Sequence, residues 1–263
     1  MNRLNTLLTT AVATATLSLA AGTASAATLL ALSADGQLFK IDSASLAITA
    51  TMPADSPSPL RGIDVRPANG VLYGLGSDNQ LYTLDLATGA ASKATSLNKQ
   101  LPGSGQAVID FNPVADKLRM LAADGTNFRV NVETGEVVVD GSVAYAADGA
   151  YAGKSAQVAA GAYTNSYAGT QATSLYNVDM ASSSLMLQNP PNDGIQQAVG
   201  KIVDGLQNPA LDIGSDGKGG NTAYLLTGTT LHTLGLASGK PTTLGEVAGL
   251  PGNIIDIAVL PEM

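Results

Sequence analysis

The sequence has no cysteine, no tryptophan and a single histidine, His232, in 263 residues. The missing thiols exclude disulfides, thiolate metal sites, cysteine nucleophiles and a lipid anchor on an N-terminal cysteine, so the core must hold by packing alone. One histidine excludes zinc sites built from several. A serine-hydrolase triad would have to use His232, and no Gly-x-Ser-x-Gly elbow accompanies it. Aromatic residues are only 4%, which weakens a sugar-binding reading based on stacking platforms. Charge is scarce and lopsided, 13 Lys and Arg against 21 Asp and Glu, for a formal net charge of −8. A chain this acidic has little to offer a phosphate backbone, so nucleic acid and anionic membrane surfaces are not expected partners.

Long apolar runs are also absent. Past the N-terminus, no segment supplies the roughly 18 unbroken apolar residues of a spanning helix, so membrane insertion is not expected. The N-terminus carries Arg3, an Ala/Leu/Thr-rich stretch and Ala24-Ser25-Ala26, a small-x-small cleavage pattern. Residues 1–26 therefore read as a secretory signal peptide, and residues 27–263 as one exported domain, periplasmic or extracellular and monomeric.

What the sequence does contain is a repeat. Five segments share a pattern of short apolar strand, polar turn, alternating strand, second turn and usually a third strand, beginning at Leu29, Val71, Lys117, Ser174 and Ala223. Asp35-Gly36 and Asp124-Gly125 supply turn residues that tolerate positive φ, and Thr88-Gly89, Thr134-Gly135 and Ser238-Gly239 recur at the next turn. "QLYTLD" and "NFRVNV" alternate with period two, and nothing after the signal has a helical period. A further strand precedes most units, as in "GIDVRP", "VIDFNP" and "ALDIGS". The first unit lacks one, and the chain ends on an unclaimed copy, "IIDIAVLP".

A spare C-terminal strand that completes an N-terminal unit is how a ring of sheets closes and removes its exposed edges. The expected fold is all-β: a five-bladed β-propeller of four-stranded antiparallel blades, with N- and C-terminal strands sharing one blade, at about 47 residues per blade. An open β-sandwich would leave the terminal strand unexplained. Blade four is the irregular one, because "QVAAGAYTN" lacks the Asp of its counterparts and Gly141 to Thr173 has no clear register.

The stretches "RGIDVRPANGVLYGLGSDNQLYTLD", "IDFNPVADKLRML", "AAGAYTNSYAG", "LYNVD" and "QNPPNDG" resemble the secreted bacterial family catalogued as domain of unknown function 4394, over essentially all of residues 27–263. The resemblance implies a propeller-like fold and export, and no activity.

Asp64, Asp110, Asp212 and Asp256 occupy one position, the centre of the first strand, in four of the five units. A carboxylate flanked by apolar residues must be paired or hydrogen-bonded. Either each Asp accepts backbone N–H groups and fixes blade docking, or the set lines a channel and holds a hard cation such as Ca²⁺. Repetition favours the structural role, since catalysis needs different groups in different roles. "DIGSDGKGGN" offers Asp212, Asp216 and Asn221 among glycines but lacks the acid that closes an EF-type loop, so it reads as a hairpin turn. His232 stands where Tyr82 and Arg129 stand in other units, a tolerant position unsuited to catalysis.

Two groups remain as binding candidates. "QNPPNDG" is a rigid polar turn presenting Asn189, Asn192 and Asp193. Tyr145, Tyr151, Tyr163 and Tyr167, half of the chain's 8 tyrosines, cluster in the Gly/Ala-rich run, either as a binding patch or as pins for an irregular loop. The expected function is a non-enzymatic binding or scaffold module for a protein, peptide or glycan, with no cofactor unless Ca²⁺ occupies the Asp set. The alternative is a glycosidase-like hydrolase using the channel-side carboxylates.

Overall fold

The computed structural model describes residues 26–261, so residues 1–25 of the signal peptide expected over 1–26 lie outside the described residues. Blade one holds β1 (Thr28–Ser33), β2 (Gln37–Asp42) and β3 (Ala47–Pro53). Blade two holds β4 (Leu60–Arg66), β5 (Val71–Gly76), β6 (Gln80–Leu84) and β7 (Ala91–Ser96). Blade three holds β8 (Val108–Asn112), β9 (Lys117–Leu121), β10 (Asn127–Asn131) and β11 (Glu136–Val139). A two-residue strand, β12 (Ala144–Tyr145), leads into blade four, made of β13 (Val158–Tyr163), β14 (Leu175–Asp179), β15 (Ser184–Gln188) and β16 (Ile195–Lys201). Blade five holds β17 (Pro209–Ser215), β18 (Asn221–Thr227), β19 (Thr230–Leu234) and β20 (Pro241–Glu246). The last strand, β21 (Ile254–Val259), returns to blade one and pairs antiparallel with β1, Ala31 opposite Ile257.

The protein is thus a five-bladed β-propeller, closed by the C-terminal strand as the orphan copy in the sequence required. The inner strands β21, β4, β8, β13 and β17 meet around the axis. Sequence grades with distance from that axis. "LRGIDVR" is buried at every position, whereas "ASKATS" in β7 and "PTTLGE" in β20 are mostly exposed. Inner strands are covered on both faces and read as apolar runs, while outer strands can be Ser, Thr and Lys.

Blade four departs from the four-stranded expectation. β12 adds a fifth strand, parallel to β16, with Ala144 opposite Ile195. It runs parallel because the chain arrives from the outer edge of blade three and lies along blade four before entering it. The Gly141, Ala144 and Ala146 N–H groups donate to the carbonyls of Asn192, Gly194 and Gln196. The otherwise open β16 edge is thereby paired.

The turn before each outer strand explains the recurring glycines. A residue at its end is left-handed in all five blades: Leu46, Gly89, Gly135, Gly194 and Gly239, with φ of 57, 76, 73, 75 and 69°. A Cβ on Gly89 would lie 1.9 Å from the Pro53 carbonyl oxygen, and one on Gly135 2.0 Å from that of Ser96. These two turns therefore press onto the outer strand of the preceding blade, and the Gly135 carbonyl accepts the Asn98 N–H at 3.0 Å. Gly135→Ala is expected to cost at least about 1–2 kcal/mol from the left-handed backbone alone, with the collision added. A urea unfolding midpoint equal to that of the wild type would refute the contact.

Candidate functional site

The carboxylates at the axis are staples between blades. Asp256 Oδ2 accepts the Ile63 N–H at 2.8 Å, Asp64 Oδ2 that of Phe111 at 2.6 Å, Asp110 Oδ1 that of Tyr163 at 2.9 Å and Asp212 Oδ2 that of Val259 at 2.5 Å. Every one of these bonds crosses to the next blade. The other oxygens of Asp64, Asp212 and Asp256 accept the N–H of the residue that follows, Val65, Ile213 and Ile257. Gly62 permits one of the approaches, since a Cβ there would sit 2.9 Å from Asp256 Oδ2 and 2.8 Å from the Ala107 carbonyl. In blade four Ala162 stands opposite Tyr176, as Asp64 stands opposite Tyr73 and Asp212 opposite Tyr224. Among the described residues that blade has no carboxylate staple to blade five; Asn165 and Asn221 join the two instead.

The four carboxylates are 3–8% exposed, and one oxygen each of Asp64, Asp110 and Asp212 lie within 4.8 Å of one another. Burial, then the neighbouring negative charges, push Asp64 and Asp110 well above the usual carboxylate range. Asp256 is raised chiefly by burial, and Asp212 is pushed up by burial to about 6 against the pull of its two N–H bonds. These groups can bridge strands, share protons or gather a cation.

A second singular place is the seam between blades three and four. Among the described residues the other four seams are filled by large apolar clusters, for example Tyr73, Leu75, Phe111 and Met120 between blades two and three. This one has only Val108, Leu121 and Val158, with Val143 at the margin. The rest is polar. Arg119, 1% exposed, donates from Nε to Tyr163 Oη, from Nη1 to Asn127 Oδ1 and Asp140 Oδ2, and from Nη2 to Asn192 Oδ1. Asp140 also accepts both Nε and Nη2 of Arg129, at 2.6 and 2.9 Å. Gln188 and Gln196 extend the network to Asn177, whose Oδ1 is buried without a hydrogen-bond partner.

Beside this network the seam opens into a cleft of about 430 Å³, lined by Gln106, Val108, Leu121, Gln157, Val158 and Met180 among others. Gln106 Nε2 donates to the Ala159 carbonyl at 3.0 Å and reaches Pro209 of blade five at 3.4 Å, so it spans the mouth of the axis. No ionisable side chain lines the cleft.

The structure distributes the tyrosines over three places. Tyr145 and Tyr151 stack with ring centroids 5.2 Å apart. Tyr145 Oη donates to Asp179 Oδ2 at 2.5 Å and Tyr151 Oη meets Ser184 Oγ, so this pair ties the β12 segment to blade four. Tyr163 is buried in β13 against Arg119, and Tyr167 is half-buried in the following turn. Asn189, Asn192 and Asp193 are exposed, with Asn192 tethered to Arg119. Asp212, Asp216 and Asn221 do not converge: Asp212 is axial, while Asp216 accepts the Lys218 and Gly220 N–H groups of its own turn. His232 lies between Thr227 and Thr243 hydroxyls at 2.9 and 3.0 Å. Arg119, Asn127 and Asp140 were not singled out by the sequence. The available signal was the cation Arg119 between the apolar Leu118 and Met120, facing inward where Tyr73 stands in blade two.

Ring, staples and seam together define a small single-ring β-propeller with no helix among the described residues long and apolar enough to cross a membrane. The chain belongs to the family described as "Domain of unknown function (DUF4394)", whose model matches residues 54–258. No curated protein matches it. Among solved structures, a protein of unknown function from Bacteroides thetaiotaomicron VPI-5482 is similar at 18% identity and a TM-score of 0.56, over 88% of this chain and 61% of that one. A protein of unknown function from Bacteroides caccae is 12% identical with a TM-score of 0.46, over 90% of this chain and 100% of that one. An auxiliary nutrient binding protein from Bacteroides ovatus ATCC 8483 is 15% identical with a TM-score of 0.45, over 74% of this chain and 55% of its own length. At such identities the likeness concerns the ring fold alone.

Proposed function

We propose that this protein is an exported, non-enzymatic binding module whose ligand seat is the seam between blades three and four. The observation that carries the reading is the seam's departure from the other four. An apolar cluster is replaced there by an ordered polar network, and the seam opens into a cleft of about 430 Å³, within the usual size range of small-ligand sites. The apolar floor of Val108, Leu121 and Val158, with the Gln106 and Gln157 amides at its edge, suits an uncharged, amphipathic ligand such as a short peptide. A glycan is a poorer fit, because no aromatic ring lines the cleft. The export reading rests on the leader-like composition of residues 1–26. The burial of Asp64, Asp110 and Asp256 supports the non-catalytic reading over hydrolysis, since each is engaged by backbone N–H groups rather than facing a cleft.

The test is a thermal-shift screen of the full chain against neutral dipeptides and oligosaccharides, repeated on Ala159→Phe, which fills the cleft from a half-buried position. A dipeptide is expected to raise the melting temperature of the wild type and not that of the variant. A hit that stabilises both chains equally, or no hit in either class, sinks the proposal.

A further inference from the structure

Gln106 stands on the wall of the seam cleft, and its amide can face only one way. Nε2 meets the carbonyl oxygens of Ala159 at 3.0 Å and of Pro209 at 3.4 Å. A carbonyl accepts and never donates, so both contacts require the NH₂ arm, which has two hydrogens for two acceptors. Blades four and five thus hold the amide in place, and Oε1 lies on its other arm. Among the described residues the buried side-chain atoms without a partner are Asn79 Oδ1 and Asn177 Oδ1. Gln106 Oε1, which no hydrogen bond reaches either, is therefore open to solvent on the cleft wall. An amide whose NH₂ is already engaged is polarised toward its oxygen, which strengthens that oxygen as an acceptor.

The seam behind the cleft is short of donors in the same way. A Cβ on Gly161 would lie 2.2 Å from Asn177 Oδ1 and 3.2 Å from Val108 Cγ1, so the unpartnered Asn177 oxygen sits just behind the Val108 floor. Gln157, also lining the cleft, has its backbone fixed: its N–H donates to Asp179 Oδ1 at 2.6 Å and its carbonyl accepts the Met180 N–H at 2.8 Å. Its exposed side-chain amide makes no hydrogen bond among the described residues and is free to donate. A fixed acceptor and a free donor beside an apolar floor match the two polar ends of one secondary amide. An ester or a carboxylate offers Gln106 Oε1 no hydrogen. A carboxylate also brings charge to a cleft without a cation, in a chain of formal net charge −8.

We propose that Gln106 is the specificity-determining residue of this seat, which holds only if the seam is where the ligand binds. Fixed by Ala159 and Pro209, it accepts the N–H of a peptide group, Gln157 donates to that group's carbonyl, and an apolar side chain rests on Val108, Leu121 and Val158. The ligand class is a neutral peptide or another secondary amide, to the exclusion of esters and organic acids.

The test is calorimetric titration of the full chain with three uncharged probes: N-acetyl-leucine methylamide and the two esters in which one or the other N–H is replaced by oxygen. The methylamide is expected to bind at least about fivefold tighter than one of the esters. In Gln106→Met, of similar length but without an amide, that ratio should fall to within about twofold. A purely structural Gln106 would weaken all three probes together and leave the ratio as it was. Gln106→Ala, at a half-buried loop position, gives the same reading should methionine disturb the fold. Equal affinities of the three probes for the wild type, or a ratio that survives in the Gln106 variants, overturns the assignment and leaves the cleft as the seat, provided binding is lost in Ala159→Phe. If no probe binds the wild type, the seat falls and the role of Gln106 falls with it.

Discussion

Arg119→Met is expected to destabilise the ring by about 3–5 kcal/mol, the usual effect of removing one partner of a buried ion pair. Methionine fills much of the same volume, so the loss is one of pairing rather than of packing. Asp140, whose side chain is 5% exposed, keeps Arg129 but loses its buried partner. Tyr163 Oη and Asn192 Oδ1 lose the donors that hold them. For a domain of this size such a change lowers the melting temperature by about 10 °C. Arg129→Met is the control. Its side chain is 34% exposed, and a pair so accessible to water contributes about 1 kcal/mol or less. Equal losses in the two variants would show that burial of the network is not what gives Arg119 its weight.

The same network fixes a pH signature. Burial pushes the Asp140 carboxyl up, but the bonds from Arg129 and Arg119 outweigh it and hold the group below its ordinary value of 3.8. A carboxylate lowered on folding contributes stability that is present above its ordinary pKa and is lost as pH falls through the folded value. The gap between wild type and Arg119→Met should therefore narrow below about pH 4. Urea midpoints across that range check the sign.

Why this network escaped the sequence is instructive. The propeller was legible because its evidence is local and repeated. Asp-Gly and Thr-Gly turns, period-two strands and "IIDIAVLP" without a partner each speak within a few residues, and the ring follows from their count. The axial Asp positions were legible for the same reason, and the staple geometry is the structural half of the reading they allowed. Blade four was not, because "QVAAGAYTN" has no polar and apolar alternation to set a register. Tyr163 consequently read as part of a loop patch with Tyr145, Tyr151 and Tyr167, whereas it is a core strand residue whose hydroxyl serves Arg119. Arg119 and Asn192 are 73 positions apart, and no short pattern ties such residues together. Three-dimensional closure alone makes them neighbours.

Asp64 shows how an acid in an apolar strand separates its two roles under substitution. Asp64→Ala leaves the Val65 and Phe111 N–H groups buried without an acceptor. Each unsatisfied buried amide costs about 1–3 kcal/mol, so the variant is expected to lose about 2–6 kcal/mol in all. Asp64→Asn keeps one oxygen for one of the two N–H groups and removes one of the mutually repelling charges that push Asp64 and Asp110 upward. These changes oppose, and the loss should stay within about 1 kcal/mol. Urea midpoints of the three chains separate the acceptor from the charge. An Asp64→Ala chain as stable as wild type would refute the staple, and an Asp64→Asn chain that loses as much as Asp64→Ala would show that the negative charge, not the acceptor oxygens, holds the blades.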